Sequence, residues 1–292
     1  MNSTPEDAQR KEPKEQPAVT EAPAAPKPPT APEPPAVPRH LRFLDLVLLV
    51  FLVGVAFSSP VLQGSGRDLD YAANARRFLS HFFPPDFSVF LPAMRALGET
   101  IQIAVMATFL SIIIAIPLAA AGSQSIAPRW LVVLVRLFMN AVRTIPSLIW
   151  ALLGVAIVGA NPLAGVVGLT LYSIGYLGKF FSDAFESVDS TAQDALRAIG
   201  AHPIQAFQYG LWPHAKPLIW SHGLWMLEYN IRSASIIGYV GAGGLGLLLH
   251  TYQEYGWWDK FAAVLVFIFI LVCALDYVGE WARRRITQGS GK

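Results

Sequence analysis

From Thr144 to Gly178 the chain carries no charged residue. About 20 apolar residues suffice to cross the hydrocarbon core of a bilayer. This stretch exceeds one crossing, and Asn161-Pro162 divides it. It predicts one helix over Leu131–Val158, kinked at Pro146, and another over Leu163–Ser187. Similar segments recur at Leu44–Leu62, at Glu99–Ala121 with a start as early as Pro92, at Leu218–Leu249 and at Phe261–Trp281. Backbone groups in lipid must find hydrogen-bond partners within their own segment, so these are helices rather than strands. The expected fold is an all-α integral membrane protein.

Composition agrees. The chain is 53% hydrophobic and 14% charged, whereas soluble domains are about 25% charged. A net charge of +2 is too small to argue for nucleic acid. Cys273 is the single cysteine, so no intrachain disulfide can form and cysteine usage says nothing of compartment. The first 38 residues hold 11 of the 22 prolines, with almost no large apolar side chains. Such a segment cannot bury enough surface to offset its ordering entropy. Residues 1–40 are therefore expected to be a disordered tail, with a docking segment for a partner as the alternative. Residues 41–286 form the membrane domain, and 287–292 a second disordered end. The tail also places the first apolar segment late for a cleaved signal peptide.

Lys and Arg set the orientation. With the N-terminus inside, the inner side holds Arg39, Arg42, Arg129, Arg197, Lys216 and Arg283-Arg284-Arg285; the outer side holds Arg67, Arg76, Arg77 and Lys260. Both termini are then cytoplasmic. Residues 63–92 become an outer segment, with an interfacial helix ending at Pro84-Pro85.

The run Val240-Gly-Ala-Gly-Gly-Leu-Gly246 matches G-x-G-x-x-G through Gly241, Gly243 and Gly246. A dinucleotide loop needs a preceding strand and a βαβ unit. Here a membrane helix precedes, so Gly241, Gly243, Gly244 and Gly246 are read as close-packing or gating residues, where a helix unwinds beside a cavity.

Ser221, Trp225, Glu228, Arg232, Ser235 and Tyr239 recur at helical spacing and define one face of the fifth segment. Glu228 and Arg232 are predicted i,i+4 partners. Arg232 lies about 21 Å along the span, where a cation costs at least about 2.5–3.5 kcal/mol. This face is read either as the lining of a polar, anion-accepting path or as a buried ion pair that joins helices. Lys179 and Asp183 form a second i,i+4 pair; for these and for Arg143, beside Pro146, structural roles are favoured.

Residues 188–217 interrupt the membrane pattern. Asp189, Ser190 and Thr191 are cap candidates. Thr191–Ile199 can form two turns that Gly200 stops. Pro203 opens a second short helix that Pro213 ends. A capped pair of this kind suits a cleft on another protein.

This loop resembles the coupling segment of ATP-binding-cassette (ABC) importer permeases, E-A-A, three residues, G, nine residues, I-x-L-P. Asp194-Ala195-Leu196 stands for E-A-A, Gly200 for the glycine and Gly210-Leu211-Trp212-Pro213 for the end. It departs at Asp for Glu, Leu for the second Ala, Gly for Ile and Trp for Leu. The stretches FFPPDFS (82–88), ETIQIAVMATFLSIIIAIPLAA (99–120), RTIPSLIWAL (143–152) and RSASIIGYVGAGGLG (232–246) are similar to the phosphonate importer permease, a relative of phosphite importers. The resemblance runs from about residue 40 to 285.

The resemblance implies a six-helix type I permease bundle with a cytoplasmic coupling helix, in a bacterial inner membrane. It implies a homodimer, two ATPase subunits and an extracytoplasmic solute-binding protein, with ATP and Mg held on the ATPases and no cofactor or catalytic residue in this chain. Asp194, Ala195, Leu196, Arg197, Gly200 and Pro213 would meet the ATPase. Arg232 would attract an anion, with Glu228 orienting it. A sister importer for phosphite, phosphate or methionine is the nearest rival. A passive channel would not need a coupling loop. A membrane enzyme acting on lipid would need polar residues clustered at one interface, but the six histidines are scattered, with no H-E-x-x-H.

Overall fold

The computed structural model describes residues 39–59, 61 and 70–289. The Pro-rich tail before residue 39 and residues 290–292 lie outside the described residues. The chain divides into two compact units at Asp68/Leu69.

The first unit contributes α1, Arg39–Phe57. From Phe43 onward its apolar side chains are exposed on every side. The apolar helix Phe43–Phe57 is shorter than the single helices of the second unit that are long enough to span.

The second unit is helical throughout, with no strand among the described residues. Its elements are α2 (Tyr71–Ser80), a 3-10 turn (Phe87–Val89), α3 (Phe90–Gly122), α4 (Arg129–Thr144), α5 (Ser147–Val158) and α6 (Pro162–Ser187). There follow α7 (Thr191–Ala198), α8 (Pro203–Ala206), a π-helical turn (Phe207–Leu211), α9 (Trp212–Ile237), a 3-10 turn (Gly238–Val240), α10 (Gly244–Glu254) and α11 (Trp258–Gly289). Phe87–Gly122, Pro162–Ser187 and Trp258–Arg285 are each long and apolar enough to cross a membrane; α4 with α5, and α8–α9 with α10, qualify as bent pairs.

The core lies where α3, α6 and α9 meet. Ala104, Ala107, Ser111, Ala115 and Ala119 form a buried stripe of small residues along α3, which lets α6 approach closely. Asn230 of α9 is fully buried. Its amide donates to Thr108 Oγ1 of α3 at 2.9 Å and accepts from Ser173 Oγ of α6 at 3.1 Å. One side chain thus ties three helices together.

Four local expectations are corrected. Pro146 produces a break rather than a kink: α4 and α5 differ in direction by 85°. Proline disfavours helical geometry at the residue before it, and Ile145 is extended at φ −86°, ψ 121°. Trp150 Nε1 donates to Val142 O at 3.1 Å, satisfying a carbonyl freed there.

Leu218–Leu249 is likewise not one helix. α9 begins earlier, ends at Ile237, and turns by 41° into α10. Gly241, Gly243 and Gly244 have φ of 93°, 83° and 68°, which L side chains rarely adopt.

Pro213 does not end the second short helix. It occupies the first turn of α9, directly after the π-helical turn. The helix expected to end at Pro84-Pro85 ends earlier, at Ser80.

Candidate functional site

The polar face of α9 is divided among different neighbours. Glu228 and Arg232 do not pair with each other. Glu228 is paired with Arg283 of α11, their side chains 9% and 28% exposed. Arg232 pairs with Asp276, 3.1 Å away on the same helix, and this pair is half exposed. α11 runs antiparallel to α9, so partners on the crossing helix satisfy both charges better than an exposed i,i+4 contact would. Gly279 lies between Asp276 and Arg283, and a Cβ there would collide with the Glu228 carboxylate. Ser235 is buried, its hydroxyl donating back to Ile231 O at 3.2 Å. Tyr239 lies beyond α9 in the 3-10 turn, edge-on to His250 at 5.0 Å. Ser221 is half-buried.

Trp225 belongs to a feature that spacing along α9 alone did not reveal. Tyr172, Tyr176 and Phe180 recur every four residues on α6 and face His222, Trp225 and Tyr229 on α9. Tyr172 stacks on Tyr229 at 5.3 Å, Trp225 on Tyr229 at 6.0 Å and Phe180 on His222 at 5.0 Å. Arg143, at the end of α4, sits over Tyr176 with its guanidinium carbon 5.7 Å from the ring centre. No carboxylate pairs with Arg143 among the described residues. Lys179 and Asp183 pair as expected, at 2.5 Å. The signal for this wall was the repeat of Tyr172, Tyr176 and Phe180, which begins inside the uncharged stretch.

The loop from 188 is built as a rigid handle. Asp189 accepts from the Thr191 hydroxyl at 2.5 Å and from its N–H at 2.9 Å. These hydrogen bonds, the hydroxyl first, hold its carboxyl below the usual range. Ser190 Oγ donates to Asp194 Oδ2 at 2.9 Å. Gly200, at φ 90°, closes α7, with its N–H bonded to Arg197 O and the Ala201 N–H to Leu196 O, each at 3.0 Å. Gln205 and His202 form a capping box at the start of α8. Beneath the handle, Gln193 is buried and a Cβ at Gly210 would lie 2.7 Å from its Cα. Phe207 packs edge-on to Phe185 of α6 at 5.5 Å. Asp194, Ala195, Arg197, Gly200 and Pro213 are exposed, and Leu196 is half-buried. Beside them stand Ile199 and Ile204, 82% and 66% exposed.

The glycine run is a helix junction. Gly238 and Gly246 lie back to back, and a Cβ on either would strike the other's backbone. Glu99 of α3 accepts from the Gly244 N–H at 2.8 Å, and Thr100 Oγ1 from the Leu245 N–H at 2.9 Å. A neighbouring helix thus caps α10, at the end where negative charge is favoured. Glu99 gave no sign of this role in the sequence, because its partners lie 145 residues away.

Residues 111–288 match the model of the binding-protein-dependent transport system inner membrane component family. The chain belongs to this family. It is 32% identical over 232 residues to the phosphite transport system permease protein PtxC of Stutzerimonas stutzeri, covering 79% of this chain and 82% of that protein. It is 31% identical over 208 residues to the phosphate-import permease protein PhnE of Mycolicibacterium smegmatis, covering 70% of this chain and 38% of that one. Among solved structures, an inward-facing form of the MetNI methionine ABC transporter aligns with a TM-score of 0.62 at 25% identity, over 69% of this chain and all but 1% of its own. The chain is thus an inner-membrane permease subunit of the ABC importer type and not itself an enzyme. Permeases of this family work with ATPase subunits, which hold ATP and Mg, and with a solute-binding protein.

Proposed function

We propose that two copies of this chain form the translocation path of an ATP-driven importer for phosphonate-like oxyanions. The observation that carries the solute class is the likeness to a phosphite permease over about four-fifths of both chains. A fixed cation at the aromatic wall supports it, since Arg143 meets no carboxylate there. In this reading Ser221, Trp225 and Arg232 line the path, with Asp276 rather than Glu228 orienting Arg232. Glu228, Ser235 and Tyr239 hold the surrounding helices, and Gly241, Gly243, Gly244 and Gly246 form the junction on which an outer gate turns.

Both termini face the cytoplasm. The exposed edge of α7, from Asp194 to Gly200, docks on the ATPase together with Ile199 and Ile204. Exposed apolar side chains beside a capped, buried-backed helix are the features of a docking surface.

The test is purification of the full chain from its native membrane under mild conditions. A P-loop ATPase and an exported binding protein should accompany it. Calorimetric titration of that binding protein with methylphosphonate, phosphite, phosphate and methionine then names the solute. Binding of methylphosphonate or phosphite upholds the reading; selective binding of phosphate or methionine overturns the solute class. Recovery of the chain alone after crosslinking overturns the coupling assignment.

A further inference from the structure

A ten-residue helix has little stability of its own in water, yet α2 has no buried residue. Its side chains nevertheless divide into two faces. Tyr71, Ala75, Phe78 and Leu79 fall at i, i+4, i+7 and i+8, on one face. Arg76, Arg77 and Ser80 take the other, and Asn74 lies at the border of the apolar face beside Phe78. Tyr71, Phe78 and Leu79 remain 59%, 46% and 55% exposed.

What the rest of the second unit does is fix the height of this helix. Phe78 meets Trp258 edge-on at 4.9 Å, and Phe82 stacks on the same indole at 5.9 Å. The Asp86 N–H donates to Asp259 O at 3.2 Å, fastening the connecting loop to the same point. Trp258 and Asp259 begin α11, whose apolar run is long enough to cross a membrane. Around that end cluster Tyr252, Tyr255 and Trp257, with Lys260 Nζ 4.4 Å from the Trp257 ring centre. Tyr, Trp and Lys gathered at the end of a span mark the headgroup layer.

We propose that α2 lies in the plane of the bilayer interface at the Trp258 end of α11, its apolar face against acyl chains and Arg76 and Arg77 against anionic lipid phosphates. The amphipathic division, the depth set by Trp258 and the absence of any acidic residue in the helix all fit a lipid surface. The inference depends on α11 spanning the membrane and is independent of the solute transported.

The test uses the full chain with Cys273→Ser, spin-labelled at single cysteines from 71 to 80, in nanodiscs of phosphatidylcholine with phosphatidylglycerol. Collision with oxygen should peak at 71, 75 and 79, out of phase with collision with a water-soluble nickel chelate. Low access to both reagents at 71, 75 and 79, whether constant or only after binding protein is added, would show a protein covering this face and overturn the proposal. Chelate access at every position would overturn it as well. Leu79→Asp should shift the whole pattern toward water. For the headgroup contact, withdrawing phosphatidylglycerol should make the helix shallower in the parent, and Arg76→Gln/Arg77→Gln should abolish that shift. An equal shift in parent and variant would overturn the assignment of the arginines. Labels at Arg76 and Arg77 replace those side chains, so the lipid dependence is read at Ala75 and Leu79.

Discussion

The Glu228 carboxylate is held by Arg283, 55 residues further along the chain, and Gly279 leaves the space in which the two meet. The pair is part-buried, and breaking it loses a hydrogen bond between charged groups, worth about 1.5–3 kcal/mol. Glu228→Gln should therefore lower the unfolding temperature of the detergent-solubilised protein. Glu228→Gln combined with Arg283→Gln should recover part of the loss. Gly279→Leu should destabilise as strongly as Glu228→Gln, because the carboxylate cannot move aside without leaving Arg283. Strict additivity of the two charge substitutions in a double-mutant cycle would show that the pair contributes nothing.

Arg232 behaves differently. It and Asp276 are 41% and 55% exposed, and exposed pairs are worth only about 0–1 kcal/mol. Arg232→Met should leave melting and assembly with the ATPase nearly unchanged while abolishing ATP-driven uptake in reconstituted vesicles. Normal uptake would move the solute path away from this face of α9.

The contrast between these two charges shows where sequence reading stops. Uncharged length revealed three single spans and two bent pairs, and the proline and glycine positions revealed α7 and its end at Gly200. Helical spacing also grouped Glu228 with Arg232 correctly as neighbours on one face. It could not say that each would turn outward to a different residue of α11, because that depends on the register of an antiparallel crossing. Pro146 and Gly241 were visible as weak points, yet the size of each bend depends on what surrounds it. Asn230 and Glu99 carry no local signal, because both act between helices that are distant in sequence.

At Gly200 two effects need separation. Its φ of 90° costs a side-chain-bearing residue roughly 1–2 kcal/mol, and its open surroundings are where a partner would approach. Gly200→Phe should abolish co-purification of the ATPase. Gly200→Asn, which tolerates the left-handed conformation, should keep α7 intact and retain more of the complex. If Gly200→Phe co-purified normally, α7 would not be the coupling element.

Asp189 gives the handle a predictable pH response. Its carboxyl is held below its ordinary value of 3.8 by the Thr191 hydroxyl and N–H. A lowered folded-state pKa stabilises the fold above the unfolded value, and the contribution disappears as pH falls through the lowered pKa. Between pH 5 and 8, then, Asp189 stays ionised and the start of α7 should exchange its amide hydrogens at a pH-corrected rate that does not change. Asp189→Asn, which keeps an acceptor, should lose little protection at Thr191 and Ala192, and Asp189→Ala should lose more.

Arg143 tests the aromatic wall directly. Its guanidinium lies over Tyr176, at the 85° break between α4 and α5, in a stretch of chain otherwise free of charge. A cation needed only for packing could be replaced by Lys or Gln with a change in melting temperature and little else. A cation that receives an anion makes a different prediction. Arg143→Lys should retain partial uptake, Arg143→Gln should lose at least about tenfold, equivalent to 1.4 kcal/mol, and both should assemble normally with the ATPase. Tyr176→Phe should leave uptake near the parental level, since the ring face that supports the guanidinium is kept. Tyr176→Ala should resemble Arg143→Gln, because the guanidinium loses the surface that positions it. Loss of uptake in Tyr176→Phe as well would point instead to the phenol hydroxyl as the group that meets the solute.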